Sequence, residues 1–188
     1  MRKFSPYLCR ILCGFFGLGL SGCAQLIGPS RNVPFVQQED GHCGDSSLEM
    51  VLRYHGLYVD HHALRAMVYL PALQGTVPEV IADTARKLGY ESEVTQLKIE
   101  ELTDLIRQTG PTIVYFGAEE APNPGHFLVV NDISPFNQRV CVHTGENSNQ
   151  WLSAKEFNRR WQKGKNIVIR IAPLSTNEST RPIPRSKE

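Results

Sequence analysis

The spacing of apolar residues changes near Gly110-Pro111, and this change limits the folds that the chain can adopt. Before it, apolar residues recur at helical spacing in the segments 46–55, 78–88 and 99–109. After it, short runs of β-branched residues predict strands at 112–116, 127–130 and 139–142. Helices that precede antiparallel strands are typical of the α+β class. The sequence therefore predicts N-terminal helices packed on a small antiparallel sheet.

The remaining segments extend this pattern at both ends of the sheet. Residues 90–97 alternate loosely and predict an edge strand. Ser153 and Glu156 have the spacing of a capping box, which predicts a short helix that carries Phe157 and Trp161. Residues 166–172 predict a last strand. All of these elements fit one compact domain over residues 31–172.

The N-terminus has the pattern of a bacterial secretion signal. Arg2, Lys3 and Arg10 flank or precede an apolar segment at 11–20, which is too short to span a bilayer as a helix. The next residues, Leu20-Ser21-Gly22-Cys23, resemble the lipoprotein cleavage box, which implies acylation of Cys23 and attachment to the membrane through its lipid. We therefore expect a signal peptide over residues 1–23, a tether over 24–30 and a location in the cell envelope. Ala24 favours the outer membrane, facing the periplasm, if the cell is Gram-negative.

Charge and composition limit the partners of the mature chain. Removal of residues 1–23 leaves 17 basic and 19 acidic side chains with no basic stripe, so nucleic acid is not an expected partner. Residues 173–188 are rich in Ser, Thr, Pro and charge, and we expect them to form a disordered tail. The sequence carries no sign of the oligomeric state.

Two thiols remain once Cys23 is acylated, Cys43 and Cys141, and they could form a disulfide in an oxidising envelope if their Cβ atoms approach. Cys43 lies at the start of the first helical segment, where the helix dipole favours a thiolate. Gly44 is expected to let the backbone approach a substrate closely. His126, at the start of a predicted strand, is the candidate base because imidazole titrates near neutral pH.

The order and spacing of these residues resemble those of the bacteriocin-processing cysteine peptidases, the papain-like domains that remove double-glycine leader peptides. Gln37 lies six residues before Cys43, and the strand His-Phe-Leu-Val-Val begins at His126. The resemblance covers residues 33 to about 171 and implies a papain-like fold. It makes Cys43 the nucleophile, His126 the general base and acid, and Gln37 a donor to the oxyanion, with Gln38 as the alternative donor.

The family places an aspartate on the strand after that of the catalytic histidine, and this chain has a different residue there. A hairpin turn centred near Pro135 puts residue 143 or 144 opposite His126, and position 143 is a histidine. His143 is therefore predicted to orient His126, with Asn147 as a weaker substitute. Asp132 lies six residues along the strand from His126, about 20 Å away, and is excluded as the third catalytic residue.

The sequence thus predicts a lipid-anchored cysteine peptidase that cleaves peptide bonds through an acyl-enzyme, with a peptide or protein as its substrate and without a metal or other cofactor. The missing aspartate leaves open a catalytically silent peptide-binding module of the same fold. The expected location leaves open a peptidoglycan amide hydrolase. His55, His61 and His62 match no known metal site, and we expect them in a solvated loop.

Overall fold

The structure is a computed structural model that describes residues 29–119 and 125–174. The expected signal peptide with Cys23, most of the tether, and the tail beyond residue 174 lie outside the described residues. The helices are α1 (Cys43–Tyr54), α2 (His61–Val68), α3 (Pro78–Lys87), α4 (Ile99–Thr109) and α5 (Ala154–Lys163). The strands are β1 (Tyr90–Gln96), β2 (Thr112–Phe116), β3 (His126–Ile133), β4 (Arg139–His143), β5 (Gln150–Ser153) and β6 (Ile167–Pro173).

The strands form one antiparallel sheet in the order β1-β6-β2-β3-β4-β5. Helices α1, α2 and α3 cover one face, and α4 and α5 cover the other. Adjacent residues of β2 therefore lie in different core layers: Ile113 packs with the first group of helices and Val114 with the second. Burial of both faces explains why the central strands are continuously apolar. The α+β class with helices on an antiparallel sheet is confirmed.

Two short elements were missed by the sequence analysis. The first is α2, which contradicts the expected loop around His61: the Asp60 side chain accepts a hydrogen bond from the Ala63 N–H at 2.9 Å and caps the helix. Leu64 and Val68, four residues apart, bury the inner face of α2. The second is β5, whose four residues pair with β4 at the edge of the sheet. Both elements are too short to give a strong periodic signal.

The β3–β4 hairpin has a different register from the one predicted. Val129, not His126, lies opposite His143, which places His143 three residues further along β3. A 3-10 turn at Pro135–Asn137 moves the centre of the connection beyond Pro135, and the register shift between Val130 and Asp132 takes back only one residue of this offset. A symmetric turn centred on Pro135 was therefore the wrong assumption.

Among the described residues, no helix has the length and apolarity needed to cross a membrane.

The layer under α5 gives a test of the core by matched substitutions. Phe157 is fully buried and packs edge-on against Phe116, whereas Phe136 is 90% exposed at the hairpin tip. Phe157→Ala is expected to lower the free energy of unfolding by about 3–5 kcal/mol because it leaves a cavity. Phe136→Ala is expected to change it by less than about 0.5 kcal/mol. Urea unfolding of both variants makes the comparison, and equal losses would contradict the assigned core.

Candidate active site

A cleft of about 340 Å³ opens where α1, the start of β3 and the turn after β4 meet. Segment 38–43 and the loop 73–76 form two of its walls, and Tyr115 and Phe127 contribute ring surface. Cys43 and His126 both line this cleft, although 83 positions separate them in the sequence. The structure therefore brings together the two residues predicted to be nucleophile and base.

Cys43 is the first residue of α1 and is partly exposed to the cleft. Burial raises the pKa of its thiol, the backbone N–H groups of Phe127, Cys43 and Gly44 oppose this effect, and the charge of Asp45 adds to it. The donors expected at a helix N-terminus are present, but burial outweighs them, so the predicted stabilisation of the thiolate is wrong in net direction. The net effect on the pKa favours the protonated thiol over the thiolate.

Gly44 serves packing rather than access to a substrate. It is buried, and a Cβ at this position would lie 2.2 Å from the Thr76 Cγ2 atom and 3.1 Å from the Ile81 Cδ1 atom. The absent side chain lets α3 and the loop before it press against the first turn of α1. The expected close approach of a substrate at Gly44 is therefore wrong.

His126 begins β3 opposite Phe116 and is oriented by a backbone carbonyl. Its Nε2–H donates to the Thr144 oxygen at 3.3 Å, which leaves Nδ1 as the ring nitrogen with a free lone pair. Burial lowers the pKa of His126; the bond to Thr144 opposes this, and the charges of Arg160 and Glu146 act in opposite directions. The imidazole is neutral at pH 7, which is the state that a general base requires.

His143 is fully buried and its two ring nitrogens are bonded away from His126. Nε2–H donates to the Val33 carbonyl at 3.0 Å, and Nδ1 accepts the Asn149 N–H at 3.0 Å. The Phe35 ring packs edge-on against the imidazole at 5.3 Å. The predicted role of His143 in orienting His126 is thus wrong, because the register places it deeper in the domain, where it ties the N-terminal segment to the β4–β5 turn.

The glutamine that reaches the cleft is Gln38. Gln37 is exposed and is not among the residues lining the cleft, whereas Gln38 lines it and its Nε2 donates to the Ser47 Oγ at 3.3 Å. The Gln38 N–H also donates to the Gly145 carbonyl at 3.0 Å. Gly145 makes room for this arrangement, because its φ is +87° and a Cβ would lie 2.3 Å from the Gln38 Oε1 atom. Gln37, which the family resemblance favoured as the oxyanion donor, is thus not among the residues that line the cleft.

The other polar candidates lie elsewhere. Asp132 accepts the Ser30 N–H at 2.6 Å near the far end of β3, and the Asn147 carbonyl accepts the Thr144 N–H at 3.0 Å. Cys43 and Cys141 are both free thiols, and burial raises the pKa of Cys141 to about 12. Within residues 29–119 and 125–174, no group of three His, Cys, Asp or Glu side chains is placed to hold a metal ion.

Comparison with known proteins identifies a family and related folds. Residues 32–174 match the model of the peptidase C39 family. A double-glycine motif protease from an AMS/PCAT transporter, solved in complex with the leader peptide, superimposes with a TM-score of 0.64 at 22% identity and covers 79% of this chain and 96% of its own. The peptidase domain of Streptococcus ComA, a bifunctional ABC transporter, gives 0.64 at 22% identity over 77% of this chain and 100% of its own.

A C39-like peptidase from Bacillus anthracis gives a TM-score of 0.63 at 20% identity and covers 79% of this chain and 98% of its own. At these identities the likeness shows the fold. No protein of curated function matches the chain in sequence.

The contacts of His143 lead to a prediction that separates support of the fold from catalysis. His143→Ala is expected to lower the free energy of unfolding by about 2–4 kcal/mol, because it leaves a cavity and two unpaired backbone groups. The pH midpoint of Cys43 alkylation is expected to stay the same in the folded variant. Urea unfolding and iodoacetamide kinetics measure the two effects, and a midpoint displaced by about one unit or more would contradict the assignment.

Proposed function

The chain belongs to the peptidase C39 family, and on this premise we propose that it is a cysteine peptidase that cleaves peptide bonds through an acyl-enzyme on Cys43. One observation carries the proposal: Cys43 and His126 line the same cleft, and the bond from His126 Nε2–H to the Thr144 oxygen leaves Nδ1 free to take a proton. A thiol and a fixed neutral imidazole are the groups that nucleophilic attack on a carbonyl requires.

In the first half of the reaction, the Cys43 sulfur attacks the peptide carbonyl carbon while its proton passes to Nδ1 of His126. The carbonyl oxygen becomes an oxyanion, and the Gln38 amide and the Cys43 N–H are the donors assigned to it. The intermediate then collapses: the carbon–nitrogen bond breaks, and the leaving amine takes the proton from His126. The product of this half-reaction is a thioester on Cys43.

In the second half, His126 removes a proton from water, and the oxygen attacks the thioester carbon. Collapse of the second intermediate breaks the carbon–sulfur bond, releases a carboxylic acid and returns the proton to the sulfur. No further co-reactant enters this sequence. His126 acts without a carboxylate behind it, and because a carbonyl stabilises an imidazolium less than a carboxylate does, the proton transfers are expected to be slower than in a triad with aspartate.

The substrate is proposed to be a peptide or an extended segment of a protein. The cleft is open to solvent between segment 38–43 and the turn after β4, and the related double-glycine motif protease was solved with a leader peptide. A peptide in which two glycines precede the bond to be cleaved is therefore the first substrate to test for this chain.

We further propose that Cys23 is lipidated and holds the domain at the membrane of the cell envelope. The first described residues enter the domain at the end of β3 remote from His126, since Ser30 bonds to Asp132. Six residues of strand separate Asp132 from His126, about 20 Å. The point where a tether from Cys23 would join the domain therefore lies at the opposite end of β3 from His126. Release of the protein from membranes by detergent but not by salt would support this proposal, as would loss of membrane attachment in a Cys23→Ser variant.

A second candidate is a catalytically silent peptide-binding module. It is favoured by the net rise in the pKa of Cys43 and by the bond from His126 to a carbonyl rather than a carboxylate. Such a module would bind the same peptides without turning them over.

Cleavage assays separate these candidates. The mature chain is incubated with a peptide in which a Gly-Gly leader is followed by further residues, with unstructured casein and with purified peptidoglycan. The products are identified by mass spectrometry. We expect the wild type to cleave a peptide bond, and we expect the cleavage rate to fall by at least about 10³-fold in Cys43→Ala. Cys141→Ala, which alters a buried thiol outside the cleft, is the matched control and should keep the activity. Binding without cleavage would support the silent module, and products from peptidoglycan alone would support the amide hydrolase.

Paired glutamine variants test the oxyanion assignment. Gln38→Ala is expected to lower kcat by about 10²–10³-fold, because one donor to the oxyanion is removed. Gln37→Ala, one residue away and exposed, is expected to leave kcat within about twofold of the wild type. The reverse result would return the assignment to Gln37.

A further inference from the structure

A group of charged side chains lies directly behind the first turn of α1. Asp45, two residues after Cys43, is 3% exposed, and a buried carboxylate requires partners. Its Oδ2 atom accepts the Arg65 Nε–H at 3.3 Å and contacts the His42 Nδ1 at 3.1 Å. His42 in turn stacks on the Tyr69 ring at 4.7 Å. His42 and Asp45, which lie on either side of Cys43 in the sequence, are thus held by Arg65 on α2 and by Tyr69, the residue after α2.

Arg65 also reaches the wall of the cleft. Its Nη2 donates to the Glu39 Oε2 at 3.0 Å, and Glu39 belongs to the segment that carries Gln38 to the cleft. The same nitrogen lies 3.0 Å from the His61 Nε2, and His61 contacts the buried Glu49 on α1 through Nδ1 at 2.6 Å. Arg65 therefore joins three parts of the molecule: the segment before Cys43, the first turn of α1, and α2.

We propose that Arg65 is a positioning residue for the nucleophile, which it serves by neutralising Asp45 in the first turn of α1 and by holding the Glu39 wall of the cleft. An uncompensated carboxylate two residues from a thiol disfavours the thiolate. The guanidinium opposes that effect and, through its bonds to Asp45 and Glu39, holds the first turn of α1 against the wall of the cleft. The proposal rests on the proposed function, because it assigns Arg65 a part in the reactivity of Cys43.

The remaining charged or titratable groups around Cys43 belong to other elements. Glu39 and Asp40 lie on the preceding segment, Tyr115 on β2, His126 on β3 and Glu146 on the turn after β4, and all five line the cleft. Burial and the charge of Asp45 raise the pKa of Cys43, in agreement with a site where the Asp45 charge matters. The variants below change Asp45 and Arg65 and leave these other groups in place.

A double-mutant cycle on the folded, full mature chain tests the proposal. The readout is the apparent pKa of Cys43, measured from the pH dependence of iodoacetamide alkylation in a Cys141→Ala background. Arg65→Met is expected to raise this apparent pKa by roughly half a unit or more, and Asp45→Asn is expected to lower it. Arg65→Lys should retain most of the wild-type value, because the positive charge remains. Asp45→Asn combined with Arg65→Met should return the value close to that of the wild type.

Arg107→Met is the matched control, because Arg107 forms an exposed i,i+3 pair with Asp104 on α4, which covers the other face of the sheet. It should leave the apparent pKa unchanged. An unchanged value in folded Arg65→Met, or a double variant that stays as displaced as Arg65→Met, would overturn the proposal. If Arg65→Met does not fold, Asp45→Asn and the double variant carry the test, and the proposal fails if Asp45→Asn does not lower the value. Alkylation needs no peptide cleavage, so a failure of the proposed function alone would leave these shifts in place.

Discussion

The packing of α1 against β3 is the contact on which the rest of the site depends. Residues 44–52 of α1 are all buried, which fixes the helix as an internal element rather than a surface one. This packing brings the N-terminus of α1 to the start of β3, where the Phe127 N–H faces the Cys43 thiol. The helices that precede the sheet in sequence thus deliver the nucleophile, and the sheet delivers the base.

A backbone carbonyl, rather than a side-chain carboxylate, orients the His126 ring. Thr144 is held by its own N–H, which donates to Asn147, and by the following Gly145, whose carbonyl accepts the Gln38 N–H. The turn after β4 therefore fixes the imidazole and the cleft glutamine together. This arrangement secures the tautomer of His126 but provides no full negative charge behind it. The expected consequence is a site that works with a neutral thiol and a neutral imidazole at rest.

The sequence predicted the parts of the molecule that depend on composition and strong periodicity. The α+β class, the long helices and the central strands followed from such signals, whereas the pairing of Cys43 with His126 in one site was implied by the family resemblance. Features that depend on a single residue of register did not: the 3-10 turn at the hairpin tip moved His143 away from His126, and the register shift near Val130 took back only one residue of that offset. The choice between Gln37 and Gln38 depended on which side chain the turn at Gly145 accommodates. A tertiary contact, the packing of Thr76 against Gly44, also reversed an interpretation based on residue type.

The central claim is that Cys43 attacks a carbonyl whose oxygen then lies between the Gln38 amide and the Cys43 N–H. A crystal structure of the mature chain with a peptide aldehyde ending in two glycines tests it most directly, because the hemithioacetal resembles the tetrahedral intermediate. We expect a covalent bond from the Cys43 sulfur to the aldehyde carbon, with the oxygen in hydrogen-bond contact with Gln38 and the His126 ring still bonded to Thr144. An aldehyde bound away from Cys43, or an oxygen that points out of the cleft with Gln38 unengaged, would contradict the claim.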